Sequence, residues 1–463
     1  MEHQRRTGNA FCRPGLNAGS EFMEKIVIAG AGAFHFAPAI LEDCFLRHRR
    51  QREIWFVDMD LDMAELTARA AQAIDRNMGG SSRFYYTTQL KKAVFGSHAV
   101  ICCADFLEET CWKSEVDLLT QVGLYKQARL YGGLGGLMQT LRAVGFVGRI
   151  AREMKRSCPQ GARLILCDSS FGGLHLARAC EAAERFLGVP AIGVSGVTGQ
   201  TRKRLALYLG LPEQNVRLQV SGLYGLGFVS RMVDNAGRDL TARTAREMKE
   251  DSREELSAML IDLYGAIPAG DRVMQYEQLA DTPLSPKRTV IYSGVGAGDY
   301  EQRKRQLAMV AVHGVFDQEG MTAWKGIVRG QGQMDARPVA LLEALDGRTE
   351  DSFDSLVMKN DGALPGVSEG RWVQVPARVK GGAVEGVCAP LPPELTQVLQ
   401  QISLVNSLYA EAAAVGSREA LRRGMEIDPA LMGVDLLYAE DVVDEMMETE
   451  AEFLPVFYGE PEE

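Results

Sequence analysis

The stretch KIVIAGAGAFHFAPAIL, residues 25–41, constrains the fold more than any other part of this chain. Lys25 to Ala29 is a short apolar run with strand character, and Gly30-Ala31-Gly32 is a tight turn. The residues after Phe34 carry apolar side chains at helical spacing. A strand, a glycine turn and a helix in that order open a dinucleotide-binding unit. Glycine lets the backbone approach a pyrophosphate, and the helix N-terminus offers amide donors and a favourable dipole. His35 stands where the third glycine of GxGxxG would fall, so the turn needs support from the next strand. EIWFVDMD, residues 53–60, supplies it, an apolar run closing on Asp58 and Asp60. An acid at the end of the second strand accepts hydrogen bonds from the adenosine ribose, which favours NAD over NADP. Gly30, Gly32, Ala33, Phe34, His35 and Asp58 are the candidate cofactor contacts.

The alternation of strand and helix continues through HAVICCA, RLILCD and PAIGVS, with the helical run of residues 135–159 between the first two. Such a rhythm implies α/β architecture, a Rossmann-like doubly wound parallel sheet with helices on both faces. Ligands of such sheets lie at the C-terminal strand ends, which adds Ala104, Asp105, Asp168 and Ser169 to the candidates. After residue 200 the pattern changes to a mixed α+β second domain. Residues 215–241 alternate as antiparallel strands with a turn at Asp234 to Gly237. Helices are expected around 241–264, 300–320, 337–348 and 392–412, and strands in RWVQVPARV and AVEGVCAP. TEDSFDSLVMKNDGALPGVSEG, residues 349–370, reads as a helix end and a loop. The expected division is a disordered extension or tag over 1–22, an NAD-binding Rossmann domain over 23–200, and a substrate and oligomerisation domain over 201–463.

Composition removes several classes. A net charge of −10 argues against a nucleic-acid partner, which needs a basic face. No apolar run is long enough to span a bilayer, and residues 1–22 lack the apolar core of a signal peptide. The nine cysteines form no CxxC pair, and the six histidines show no metal-ligand spacing. A cytoplasmic protein with reduced thiols and a small-molecule substrate is expected.

Several stretches resemble glycoside hydrolase family 4, the NAD-dependent glycosidases that include 6-phospho-glucosidases and alpha-galacturonidases. GAGAFHFAPAIL is similar to that family's GAGS-x-x-F opening. YGGLGGLMQTLRAVGFVGRIAREMKRSCPQGARLILCDSS follows its GPGG to NYTNP run, and VQVPARV, APLPPELTQVLQQI and DEMMETEAEFLPVF keep the family order. The resemblance covers nearly all of residues 23–458. It implies cleavage of O-glycosides by transient C3 oxidation with NAD, C2 deprotonation by a tyrosine, elimination, water addition and re-reduction. A divalent metal, manganese, stabilises the enediolate in the family, and homodimers or homotetramers are the implied assembly.

The site positions depart from that pattern. The family's metal-binding Cys falls on Ser195 in GVSG, and its His falls on Gly225 in GLYGLGF, so neither family ligand is kept. The NYTNP amide region becomes CDSSFG, which puts Asp168 and Ser169 or Ser170 near the substrate. The arginine after the third strand falls on Asp105, with Lys113 close by. Tyr276 and Tyr224 are the two candidate bases, and Lys126 in GLYKQARLYGG is a candidate to carry part of the metal's charge. Arg288 in SPKRT is a candidate grip for an anionic sugar substituent. A metal-independent glycosidase, an NAD-dependent sugar oxidoreductase and a non-catalytic NAD-binding relative all remain open. The glycine-broken stretch VSGLYGLGFVS, residues 220–230, holds both Tyr224 and the substituted ligand position.

Overall fold

The computed structural model describes residues 23–33, 37–47, 50–104, 109–129, 132–168, 175–270, 279, 297–329 and 337–459. Its strands in chain order are β1 Glu24–Ala29, β2 Arg52–Val57, β3 Arg83–Thr87, β4 Ala99–Cys102, β5 Arg163–Asp168 and β6 Ala191–Ser195, then β7 Val216–Leu223, β8 Leu226–Asp234, β9 Ile267–Pro268, β10 Asp351–Lys359, β11 Trp372–Lys380 and β12 Ala383–Gly386. All twelve join one sheet. The first six are parallel in the order 3-2-1-4-5-6, the arrangement of dinucleotide-binding folds. β10 then pairs antiparallel with β6, and β11, β7, β8 and β9 carry the sheet onward. Strands from both sides of residue 200 thus share one hydrogen-bonded ladder.

Strand alternation explains why both faces are covered. Ile26, Ile28, Ile101, Ile165 and Cys167 enter one hydrophobic core, while Val27, Ala29, Val100, Leu164 and Leu166 enter another. Successive side chains point to opposite faces, so a run that is apolar throughout can be buried only between two layers. The helix Gly133–Ser157 covers one face and is buried along most of its length. The helices Leu61–Asn77 and Ala297–His313 pack together over the other.

Two expectations for the second half are corrected. Residues 351–359, expected as the end of a helix and a loop, form β10, between β6 and β11. Asp351, Ser352, Asp354 and Ser355 give this segment low intrinsic strand preference. A bulge between Phe353 and Leu356 restores the inward phase, and Leu356 and Val357 are fully buried. Tertiary packing overrides propensity here. The expected helix 241–264 is two helices, Thr241–Glu250 and Glu255–Tyr264, separated where the Asp251 carboxylate accepts from the Arg253 amide.

The glycines of residues 220–230 have separate structural causes. Leu223 pairs with Leu226, so Tyr224-Gly225 is a two-residue hairpin tip, and Gly225 takes φ +83°. At Gly222, φ +137°, an added Cβ would lie 2.5 Å from the Leu226 carbonyl oxygen. The turn expected at Asp234 to Gly237 is also formed, with the Gly237 amide donating to the Asp234 carbonyl at 3.0 Å.

A buried ion triad ties the C-terminal helices to the Rossmann half. Arg142 donates to both Glu115 and Glu450, and to Gln139 at 2.9 Å. Burial pushes the Glu115 carboxyl up despite Arg142, and the neighbouring Glu450 charge adds to the rise. Among the described residues no helix is long and apolar enough to cross a membrane.

Candidate active site

The glycine turn is seated on the ends of two neighbouring strands. The Gly30 and Ala31 amides both donate to the Val57 carbonyl, at 2.9 and 3.1 Å, and the Ala33 amide donates to the Gly30 carbonyl at 3.0 Å. Gly30 takes φ +87°, and a Cβ there would meet the backbone N and Cα of Ala104 at 2.4 Å. Only glycine permits this approach, for both reasons. The Cys103 thiol donates to the Gly30 carbonyl at 3.2 Å, tying the end of β4 to the turn.

Asp58 follows β2 and faces the same turn. Its Oδ2 accepts the Gly32 amide at 2.7 Å and its Oδ1 the Asp60 amide at 3.0 Å. Burial pushes its carboxyl up, and those two amides pull in the other direction. A carboxylate has about four acceptor sites, so this one can still receive ribose hydroxyls. Gly30, Gly32, Ala33, Asp58 and Ala104 are therefore brought together at the C-terminal ends of β1, β2 and β4. Phe34, His35 and Asp105 lie outside the described residues.

The neighbouring strand end carries a buried acid. Asp168 ends β5, is 2% exposed, and lies opposite Ser195 in the parallel register. Tyr224 reaches it from the β7–β8 hairpin tip and donates its phenol proton to Oδ2 at 2.6 Å. Tyr224 is itself 6% exposed. An O–H to carboxylate bond of this length is of the strong, charge-assisted kind. The Gly196 amide donates to the Asp168 carbonyl at 3.1 Å, which fixes the turn after β6 against it.

Two further candidates are exposed lysines. Lys126 is exposed on the short turn Tyr125–Gln127, and Lys113 is exposed on the helix Glu109–Gln121. No hydrogen bond or ion pair links either lysine to Asp168 or Tyr224 among the described residues. Tyr276, Ser169 and Arg288 lie outside the described residues. His175 went unnoticed in the sequence. It is 4% exposed and has φ +50°, the one positive value at a described non-glycine residue. It stands at the start of the helix Leu176–Glu181, seven residues after Asp168. Histidine tolerates this region better than most residues, and no sequence signal announces the conformation.

The two positions implied to hold a metal do not offer ligands for one. The Ser195 hydroxyl accepts the Val197 amide at 3.3 Å, and Gly225 has no side chain and serves the hairpin tip. A serine hydroxyl is a poor ligand for a hard divalent cation. Among the described residues, Glu24, His98 and Asp346 do cluster at metal-ligand spacing. They sit at the opposite, N-terminal ends of the strands, where Arg348 pairs with Glu24 and Asp346.

A family model described as "Family 4 glycosyl hydrolase" matches residues 25–184, and one described as "Family 4 glycosyl hydrolase C-terminal domain" matches residues 221–431. The chain belongs to family 4 of the glycosyl hydrolases. Among relatives of this family 4 protein, the alpha-galacturonidase of Bacillus subtilis (strain 168) is 25% identical over 279 residues. That match covers 54% of this chain and 59% of the relative, less than two thirds of its length. An alpha-glucosidase of Erwinia rhapontici is 21% identical over 441 residues, 87% of this chain and 93% of the relative. A crystal structure of 6-phospho-alpha-glucosidase from gut microorganisms, in complex with NAD and glucose-6-phosphate, superposes with a TM-score of 0.71 at 17% identity. It covers 93% of this chain and 98% of the other. The 6-phospho-beta glucosidase of Thermotoga maritima, solved with NAD and glucose-6-phosphate, gives 0.71 at 16% identity, covering 93% and 99%. At such identities the likeness shows the fold, and this family 4 chain shares it over nearly its full described length.

Proposed function

We propose that this family 4 member is an NAD-dependent glycoside hydrolase that works without the divalent metal implied by its resemblance. The supporting observation is one juxtaposition. A glycine turn with Asp58 and a buried Asp168–Tyr224 pair occupy the C-terminal ends of β1, β2, β4 and β5 in one sheet, beside a Ser195 and a Gly225 that supply no metal ligand.

Gly30, Gly32 and Ala33 would hold the pyrophosphate of the dinucleotide and Asp58 its adenosine ribose. When bound, the dinucleotide supplies a reversible hydride acceptor, so that C3 of a sugar can be oxidised and later reduced within one turnover. The protein's own part is to hold C3 at the ends of β4 and β5, to accept the proton of C2 once C3 is a carbonyl, and to let the aglycone leave before water adds. Relatives named for a galacturonide and for 6-phosphorylated glucosides make glycosides with an anionic substituent the class to test first.

The test is a panel of para-nitrophenyl glycosides, neutral, uronic and 6-phosphorylated, with NAD and a chelator in deuterated water. Aglycone release with no net reduced nicotinamide, and deuterium at C2 of the product, is the expected result. Steady accumulation of reduced nicotinamide without aglycone release would make the chain a sugar oxidoreductase instead. Activity lost to chelator and restored by manganese would contradict the metal-independent reading.

A further inference from the structure

Tyr224 and Asp168 stand 56 positions apart in sequence and meet at the ends of two strands that are not neighbours. Their contact bears on which of the two can take a proton. The phenol already donates its hydrogen to Oδ2 at 2.6 Å. For Tyr224 to act as the base it would have to become a phenolate facing the Asp168 carboxylate at that separation. Two like charges in a site excluded from water repel strongly, and one of them stays protonated. The carboxylate is then the acceptor of the pair, and the phenol is its support.

The support has a physical purpose. Asp168 is 2% exposed, and burial by itself favours the neutral carboxylic acid, which cannot accept a proton. A strong hydrogen bond from a phenol favours the ionised form. The Gly196 amide on the Asp168 carbonyl, and the register of Asp168 against Ser195, fix the backbone from which the carboxylate projects. This end of β5 adjoins the end of β4 that carries Ala104 at the glycine turn.

We propose that Asp168 is the proton acceptor in the carbon-acid step at C2, and that Tyr224 is the positioning residue that keeps it ionised. The inference rests on the reading of the chain as an NAD-dependent glycosidase. In the step, the C2–H bond breaks, the proton forms an O–H bond on an Asp168 oxygen, and the electron pair of the C–H bond moves into the C2–C3 bond and onto the C3 carbonyl oxygen as an enediolate. The carbonyl is made beforehand by hydride transfer to the nicotinamide cofactor, the oxidant named above.

The experiment compares Asp168→Asn and Tyr224→Phe with the native holoenzyme on the para-nitrophenyl glycoside it turns over best. Asn can still accept the phenol hydrogen bond, so this variant separates base function from the cross-tie. Asp168→Asn is expected to slow C2 deuterium exchange by about 10²-fold or more, while reduced nicotinamide appears up to one equivalent per site. Tyr224→Phe is expected to keep exchange but to move the acidic limb of its pH profile upward. The same upward move should be seen without cofactor or substrate, by carbon-13 NMR titration of labelled aspartate carboxyls. Native-rate exchange in Asp168→Asn overturns the proposal. So does loss of exchange at every pH in Tyr224→Phe with exchange retained in Asp168→Asn. If the native protein oxidises no glycoside, the glycosidase reading fails, and an Asp168 titration unmoved by Tyr224→Phe separately overturns the pairing.

Discussion

At the scale of single residues, steric and electrostatic constraints give measurable consequences. Gly30→Ala would place a Cβ 2.4 Å from the Ala104 backbone at φ +87°. Backbone has to shift, at a cost of about 1–3 kcal/mol, so a lower melting temperature and weaker NAD binding by calorimetry are expected. The triad at Arg142 carries a pH dependence with a definite sign. Burial raises the Glu115 carboxyl above its ordinary 4.5, so the folded state binds a proton that the unfolded chain has released. That contribution is fully present below pH 4.5 and is lost as pH rises through the folded-state value. The melting temperature should therefore fall on the alkaline side, and Glu115→Gln should flatten the fall in a pH series. Arg142→Met, which strands two acids without their cation, should cost about 3–5 kcal/mol in denaturant unfolding. Gly30, Gly32 and Asp58 were legible in the sequence because their chemistry is local, a turn and a strand end. Asp168 and Tyr224 were each visible as candidates, but their bond was not. It spans 56 residues and depends on strand order.

At the scale of elements, the β7–β8 hairpin shows why an odd glycine pattern need not be decay. Gly225 takes the positive φ of the hairpin tip, and Gly222 makes room for the Leu226 carbonyl. Gly225→Ala should cost about 1–2 kcal/mol for the left-handed conformation alone. Gly222→Ala, whose Cβ would meet the Leu226 carbonyl oxygen at 2.5 Å, should cost about 1–3 kcal/mol. Urea midpoints below the native value are expected for both variants, and a native midpoint in either would contradict the hairpin geometry. The first six strands could be read from sequence where they are apolar throughout, as in β1, β4 and β5. β10 could not, since its Asp and Ser residues resemble a loop. Its pairing with β6 on one side and β11 on the other, with Leu356 and Val357 fully buried, makes it a strand of the sheet interior.

At the scale of the whole molecule, a parallel dinucleotide sheet and an antiparallel extension share one ladder through β6 and β10. That continuity lets a hairpin tip from the second half deliver Tyr224 to an acid at the end of β5 in the first. The same geometry sets Ser195 and Gly225, the two positions where the resemblance implies metal ligands, beside the pair. At that strand end the chain carries a hydrogen-bonded carboxylate and phenol, and a serine and a glycine stand at those two positions. The most direct test is aglycone release from the para-nitrophenyl panel with NAD and excess chelator. Turnover equal to that in the chelator-free control, unchanged by added manganese and with no net reduced nicotinamide, is expected. Activity that vanishes with chelator and returns with manganese would contradict it.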